Sequence, residues 1–93
     1  MTHMAREIAE IPDAAARFLV GNAEALVRIG AAIRAVDPSL IVTVARGSSD
    51  HAATYLKYAA ELAAGVPVAS VGPSVASVYG RALRLDRAVC IAI

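Results

Sequence analysis

Apolar positions recur at helical spacing between Leu26 and Val36. Leu26, Ile29, Gly30, Ile33 and Val36 share one broad face, and Arg28 and Arg34 fall outside it. This pattern predicts a helical region over 13–37. Asp13, just after Pro12, is a candidate cap for its first stretch, AAARFLV. Gly21-Asn22 is expected to break or kink the helix. Asp37-Pro38 is expected to end it, because a residue before proline avoids the helical region. Residues 1–12 read as an N-terminal extension with His3 in a frayed start, and Met4 competes with Met1 as the true start.

The period then changes. Leu40-Ile41-Val42-Thr43-Val44-Ala45 is rich in β-branched residues and barely alternates, as expected of a strand buried on both faces of a parallel sheet. Residues 49–64 return to helical spacing. Ala52, Leu56, Ala59, Ala60 and Ala63 form the expected buried stripe, and Gly65 the left-handed C-cap. VPVASV (66–71) reads as a second strand with Pro67 tolerated at its start. Gly72-Pro73-Ser74 is a turn into a short helix, LRLD a polar connection, and AVCIAI (88–93) a third buried strand. Strands alternating with helices predict an α/β domain, a parallel sheet with helices on its faces. No helix follows the third strand, so that strand is also a candidate edge. The chain therefore reads as a domain truncated after its third strand, or one that folds with a partner.

Composition narrows the class. At 93 residues and 58% hydrophobic, the chain is one domain or a piece of one, with more apolar surface than so short a chain readily buries. A net charge of +1, no basic run and no tryptophan give nucleic-acid binding little support. The single cysteine, Cys90, allows no internal disulfide and fits a reducing compartment; inside AVCIAI it is expected to be a small buried hydrophobe. No apolar run approaches a membrane span, and Glu7 and Glu10 interrupt the region a signal peptide would need. The expectation is a cytoplasmic protein with no membrane partner. Two histidines and one cysteine, far apart, suggest no metal site.

The chemistry converges on Arg46-Gly47-Ser48-Ser49, where the first strand gives way to a helix. Ligands of open parallel sheets bind beyond the carboxyl ends of the strands. A helix N-terminus there offers unpaired N–H groups to an anion. Gly47 permits close approach or positive φ, and Ser48 and Ser49 add hydroxyls that donate and accept. Serine is equally a preferred N-cap, so pattern alone leaves this turn balanced between cap and anion site. The spacing matches neither a Walker loop nor a dinucleotide fingerprint. Ser74 and Ser77 follow the second strand, at the same sheet end, and are again cap or ligand contact. Asp50 and His51 are the only clustered acid/base candidates, and for His51 a plain helix-face role is favoured. Lys57 and Glu61 are expected to form a surface pair of small value, and Tyr55, Tyr58 and Tyr79 to cover apolar surface.

Taken in order, these motifs resemble the sugar isomerase (SIS) domain family. Glu7-Ile8-Ala9-Glu10-Ile11-Pro12 is similar to its opening EI.E.P stretch, Gly47-Ser48-Ser49-Asp50-His51-Ala52 to its G-[ST]-S-x-x-A turn, and Glu61 through Val68 to its E-x-x-x-G-[IV]-P-V element. Ser74 matches a serine after the second strand. The wording looks closest to the isomerase-like part of glucosamine-fructose-6-phosphate aminotransferase and to glucosamine-6-phosphate deaminases. The resemblance implies a three-layer, flavodoxin-like parallel sheet that binds a phosphorylated sugar or amino sugar, with Gly47, Ser48, Ser49 and Ser74 as substrate contacts. It implies no cofactor, and a homo-oligomer for the full-length protein. Two features depart from the family. Val75 stands where the aminotransferase often has an acidic residue, and the sequence ends at Ile93, where the family's serine-rich phosphate loop would begin. No acid/base set for catalysis is evident. The expected function is therefore the sugar-phosphate-binding portion of an amino-sugar-phosphate deaminase/isomerase or aminotransferase-like enzyme, inactive by itself. The alternatives are a non-catalytic sugar-phosphate sensor and an inert gene fragment.

Overall fold

The computed structural model describes residues 2–93. The chain forms two compact units, one reaching to Ala32 and one spanning Ile33–Ile93. Helix α1 runs from His3 to Val36 without interruption, so its last turn belongs to the second unit. The expected break at Gly21-Asn22 is not there, His3 is not frayed, and Asp13 lies inside the helix instead of capping it. Thr2 is the cap: its Oγ1 accepts from Ala5 N–H at 3.1 Å. A glycine inside a helix costs about 1 kcal/mol against alanine, too little to stop one this long. Asn22 also turns its amide back onto its own helix, Nδ2 donating to Phe18 O at 2.9 Å. Pro12 is likewise inside the helix and removes one N–H donor there.

The second unit is an α/β layer. It comprises β1 (Leu40–Val44), α2 (Ser49–Ala64), β2 (Val68–Ser70), α3 (Ser74–Ser77) and β3 (Ala88–Ala92). The sheet is parallel with order β2-β1-β3. Ile41, Val42 and Thr43 pair with Val68, Ala69 and Ser70 on one side and with Val89, Cys90 and Ile91 on the other. This is the order of the first three strands of a flavodoxin-like sheet.

Central position explains the composition of β1. Ile41, Val42 and Thr43 are buried in succession, so both faces are covered and the strand cannot alternate. With Ala53 and Val68 they make the core. β3 is different. It is an edge strand on which Cys90 is exposed, which corrects the expectation of a buried cysteine and of a third buried strand.

The buried face of α2 also lies elsewhere than expected. Ala53 is its one fully buried residue, joined by half-buried Leu56, Lys57, Ala60 and Glu61, while Ala52, Ala59 and Ala63 are exposed. The helix is turned by about one residue because Lys57 and Glu61 reach inward to β2. Gly65 is left-handed at φ 69° and its N–H donates to Glu61 O, as expected of this cap. Tyr55, Tyr58 and Tyr79 are exposed and do not cover the core.

Candidate functional site

The parallel sheet carries the turns after β1 and β2 to the same end. Gly47, Ser48 and Ser49 lie beyond the central strand, and Ser74 opens α3 beyond its neighbour β2. β1 is also where the chain changes direction across the sheet, with β2 on one side and β3 on the other. In folds of this order the crevice beside the first strand's carboxyl end is where ligands collect.

The turn's geometry bears directly on the choice between cap and ligand contact. Gly47 takes φ 63°, and the space a Cβ would enter is open. Ser48 stands at the N-cap position with helical dihedrals, φ −66° and ψ −23°, and its side chain makes no capping hydrogen bond. An N-cap serine normally sits in the extended region with its oxygen on an N–H one turn ahead. Here the capping work falls to the backbone: Asp50 N–H donates to Gly47 O and His51 N–H to Ser48 O, both at 3.1 Å. Among the described residues, the N–H groups of Gly47, Ser48 and Ser49 have no acceptor in the chain, and neither serine hydroxyl has a partner. A left-handed residue followed by right-handed ones turns successive N–H groups to one side, a concavity suited to an anion.

Ser74 also fails to cap, because Pro73 holds the N-cap position of α3 and the Ser74 hydroxyl has no partner among the described residues. Ser77 differs, its Oγ donating to Pro73 O at 3.1 Å within α3. Arg46, Asp50 and His51 are exposed at the same sheet end. No cluster of three histidine, cysteine, aspartate or glutamate side chains that could hold a metal occurs among the described residues. None of the helices described is long and apolar enough to cross a membrane.

Lys57 and Glu61 do more than a surface pair. Lys57 Nζ donates to Glu61 at 3.0 Å and to Val68 O at 2.9 Å, and Val68 N–H donates to the same Glu61 oxygen at 3.1 Å. Both backbone groups of the first β2 residue are thereby tied to α2. The Lys57 hydrogen bond, helped by the Val68 N–H, holds the Glu61 carboxyl below its ordinary range, against a smaller opposing effect of burial. Spacing had indicated only the four-residue interval. The signal for the rest is the adjacent G-V-P-V stretch, which brings Val68 back under the helix. Near this clamp a hollow of about 30 Å³, lined by Thr43, Asp50, Thr54, Lys57 and Ser70 among others, has room for one water molecule.

No protein-family model matches the chain, and a search of curated proteins found no match. Six chains of solved structures match. One is the crystal structure of a "putative phosphosugar isomerase" from Silicibacter pomeroyi DSS-3, 61% identical, with a TM-score of 0.91 over 99% of this chain. The chain spans 28% of that protein's length. At that identity and superposition, the chain carries a sugar-isomerase-like α/β fold.

Proposed function

We propose that this chain is the sugar-phosphate-binding part of an amino-sugar-phosphate deaminase/isomerase or aminotransferase-like enzyme. Gly47, Ser48 and Ser49 take the phosphate, and Ser74 contacts the sugar. The observation that carries this reading is the unpartnered turn after β1, with three N–H groups and two hydroxyls beside a left-handed glycine and no capping bond to occupy them. A phosphate is held there by charge-assisted hydrogen bonds and by the positive end of α2. The name of the similar protein from Silicibacter pomeroyi and the motif resemblance favour a phosphorylated sugar over other anions. The parent reaction would be aldose–ketose isomerisation coupled to gain or loss of ammonia. It needs positioned groups to move a proton between neighbouring carbons, and in this reading those groups lie outside these 93 residues. The chain's own part is to bind and orient.

Calorimetric titration of the chain with fructose 6-phosphate, glucosamine 6-phosphate, fructose and inorganic phosphate tests this. The expected order is both phosphorylated sugars above inorganic phosphate, with no heat from fructose. Equal binding of inorganic phosphate and the sugar phosphates would reduce the site to an anion hole. No heat from any phosphate would overturn the reading.

A further inference from the structure

β2 and β3 are the outer strands of the sheet, so each has a row of backbone groups turned away from β1. Such a row is a template on which a further strand can pair. On β2 its members are identified by the bonds to β1. Pro67 O accepts from Ile41 N–H and Val71 N–H donates to Thr43 O, both at 2.9 Å, so residues 67, 69 and 71 face β1. Val68 and Ser70, between them, face the open side. Val68 is already engaged there. Its C=O accepts from Lys57 Nζ at 2.9 Å, its N–H donates to Glu61 Oε2 at 3.1 Å, and the two side chains hold each other at 3.0 Å.

We propose that the Lys57–Glu61 pair is an autoinhibitory plug that keeps the β2 edge closed to an added strand. The strand it excludes is an extended, uncharged segment, of which β2 of another copy is the nearest example. The pair sets a donor on Val68 O and an acceptor on Val68 N–H, the two groups an incoming backbone would use. Among the described residues, Val68 is the one strand residue whose backbone is bonded by side chains. The opposite edge differs. Ser39 N–H donates to Arg87 O and Ile93 N–H to Val44 O, so on β3 Cys90 and Ala92 face outward, and no side chain is bonded to the backbone of either among the described residues. The plug is therefore particular to β2.

β2 has no guard of its own. Val66 to Val71 carries no charge, whereas edge strands are usually kept apart by charged residues or proline. Pro67 is present, but its backbone faces β1, so its missing N–H blocks nothing on the open side. Helix α2 supplies the charges instead. The Lys57 and Glu61 side chains are 41% and 32% exposed, so a strand displacing them would leave two half-buried charges without their backbone partners. Val68 is buried beneath the same helix, and swinging the strand outward to free its edge would uncover it. With Val68 taken, Ser70 is the only outward-facing residue of β2 left, and one residue makes no ladder.

Pyrene emission reads this edge directly. The label is carried on Ala69→Cys in a Cys90→Ser background, at an exposed position on the sheet face opposite Val68. With Lys57→Met and Glu61→Met together, excimer emission should appear and rise with concentration, and with the pair intact it should be absent. Two further chains separate edge pairing from mere loosening. Val42→Ala, which loosens the core and keeps the pair, should give no excimer. Adding Ser70→Pro to the double variant removes an outward N–H and no bond to β1, and should abolish the excimer. If the double variant loses its circular dichroism, Lys57→Met alone, which frees Val68 O, is read in its place. No excimer from a folded chain lacking the pair, an equal excimer from Val42→Ala, or one that survives Ser70→Pro would each overturn the proposal.

Discussion

The two ends of the sheet are built from similar materials and finished differently. At the amino ends of the strands, the turn after α1 and the loop before β3 are tied to each other. Arg87 donates to Asp37 O at 2.9 Å and approaches the Asp37 carboxylate at 3.5 Å, while Ser39 N–H donates to Arg87 O at 3.0 Å. Both Asp37 and Arg87 hold positive φ, 50° and 57°, and their neighbours' hydrogen bonds keep them there. At the carboxyl ends there is also a left-handed residue, Gly47, but around it the N–H groups of Gly47, Ser48 and Ser49 and both serine hydroxyls have no partner among the described residues. The larger hollow lies at the amino end, about 520 Å³ bordered by Ile33, Pro38, Ile41, Ala63 and Val66, and its lining is mainly apolar. Size alone would favour the amino end as a ligand site; under the proposed function the phosphate lies at the other end, beside the unpartnered N–H groups of Gly47, Ser48 and Ser49. At the amino end hydrogen bonds join Asp37, Ser39 and Arg87 across two loops, and at the carboxyl end no such tie joins Gly47, Ser48 and Ser49 to a neighbouring loop among the described residues.

The largest effect is expected at Gly47. Gly47→Val puts a β-branched side chain at φ 63°, which should cost about 1–2 kcal/mol in urea unfolding and abolish sugar-phosphate binding. Next, Ser48→Ala and Ser49→Ala should split stability from binding. With no intrachain partner to lose, each should leave unfolding within about 0.5 kcal/mol of the parent. Each should weaken sugar-phosphate affinity about tenfold, the worth of one hydrogen bond to a charged group. A stability loss with unchanged affinity would return these serines to the role of caps.

Glu61→Gln tests the clamp between the two ends. The folded carboxyl sits below its ordinary range, so the folded state binds fewer protons than the unfolded one across that range. The clamp's contribution is then fully present above the ordinary carboxylate range and is lost as pH falls from that range down through the lowered folded value. Glu61→Gln should lower the urea midpoint at neutral pH and flatten that acid dependence. The smallest effect belongs to Arg87→Ala at the amino end. Its ion pair with Asp37 is exposed on both sides, so unfolding should change by no more than about 1 kcal/mol, the change shrinking in salt, with sugar-phosphate affinity untouched.

Much of this was legible in the sequence, and the failures share a cause. The unbroken apolar run of β1 announces a strand covered on both faces, and Gly65 announces its cap, because each signal depends on residues next to it. AVCIAI reads like β1, yet Cys90 is exposed; a strand's rank within the sheet is a tertiary fact that local composition does not carry. The buried face of α2 was misassigned for a related reason. Lys57 and Glu61 look like solvent residues until β2 returns beneath them and offers both backbone groups of Val68. Gly21-Asn22 misled because turn chemistry is weighed locally, whereas a helix of 34 residues absorbs one weak position. For the site, pattern alone left Gly47, Ser48, Ser49 and Ser74 between cap and ligand contact, and the family resemblance tilted them towards the ligand. The dihedrals of Ser48, which no residue type dictates, are what remove the cap.

Under the proposed function the carboxyl end of the sheet binds a sugar phosphate and the amino end does not. Amide chemical-shift mapping of the chain during titration with fructose 6-phosphate compares both ends in one sample. Saturable shifts are expected at Gly47, Ser48 and Ser49, with Asp37, Ser39 and Arg87 unmoved. Silent amides at Gly47–Ser49 at millimolar ligand, or shifts centred on the amino-end cleft, would contradict it.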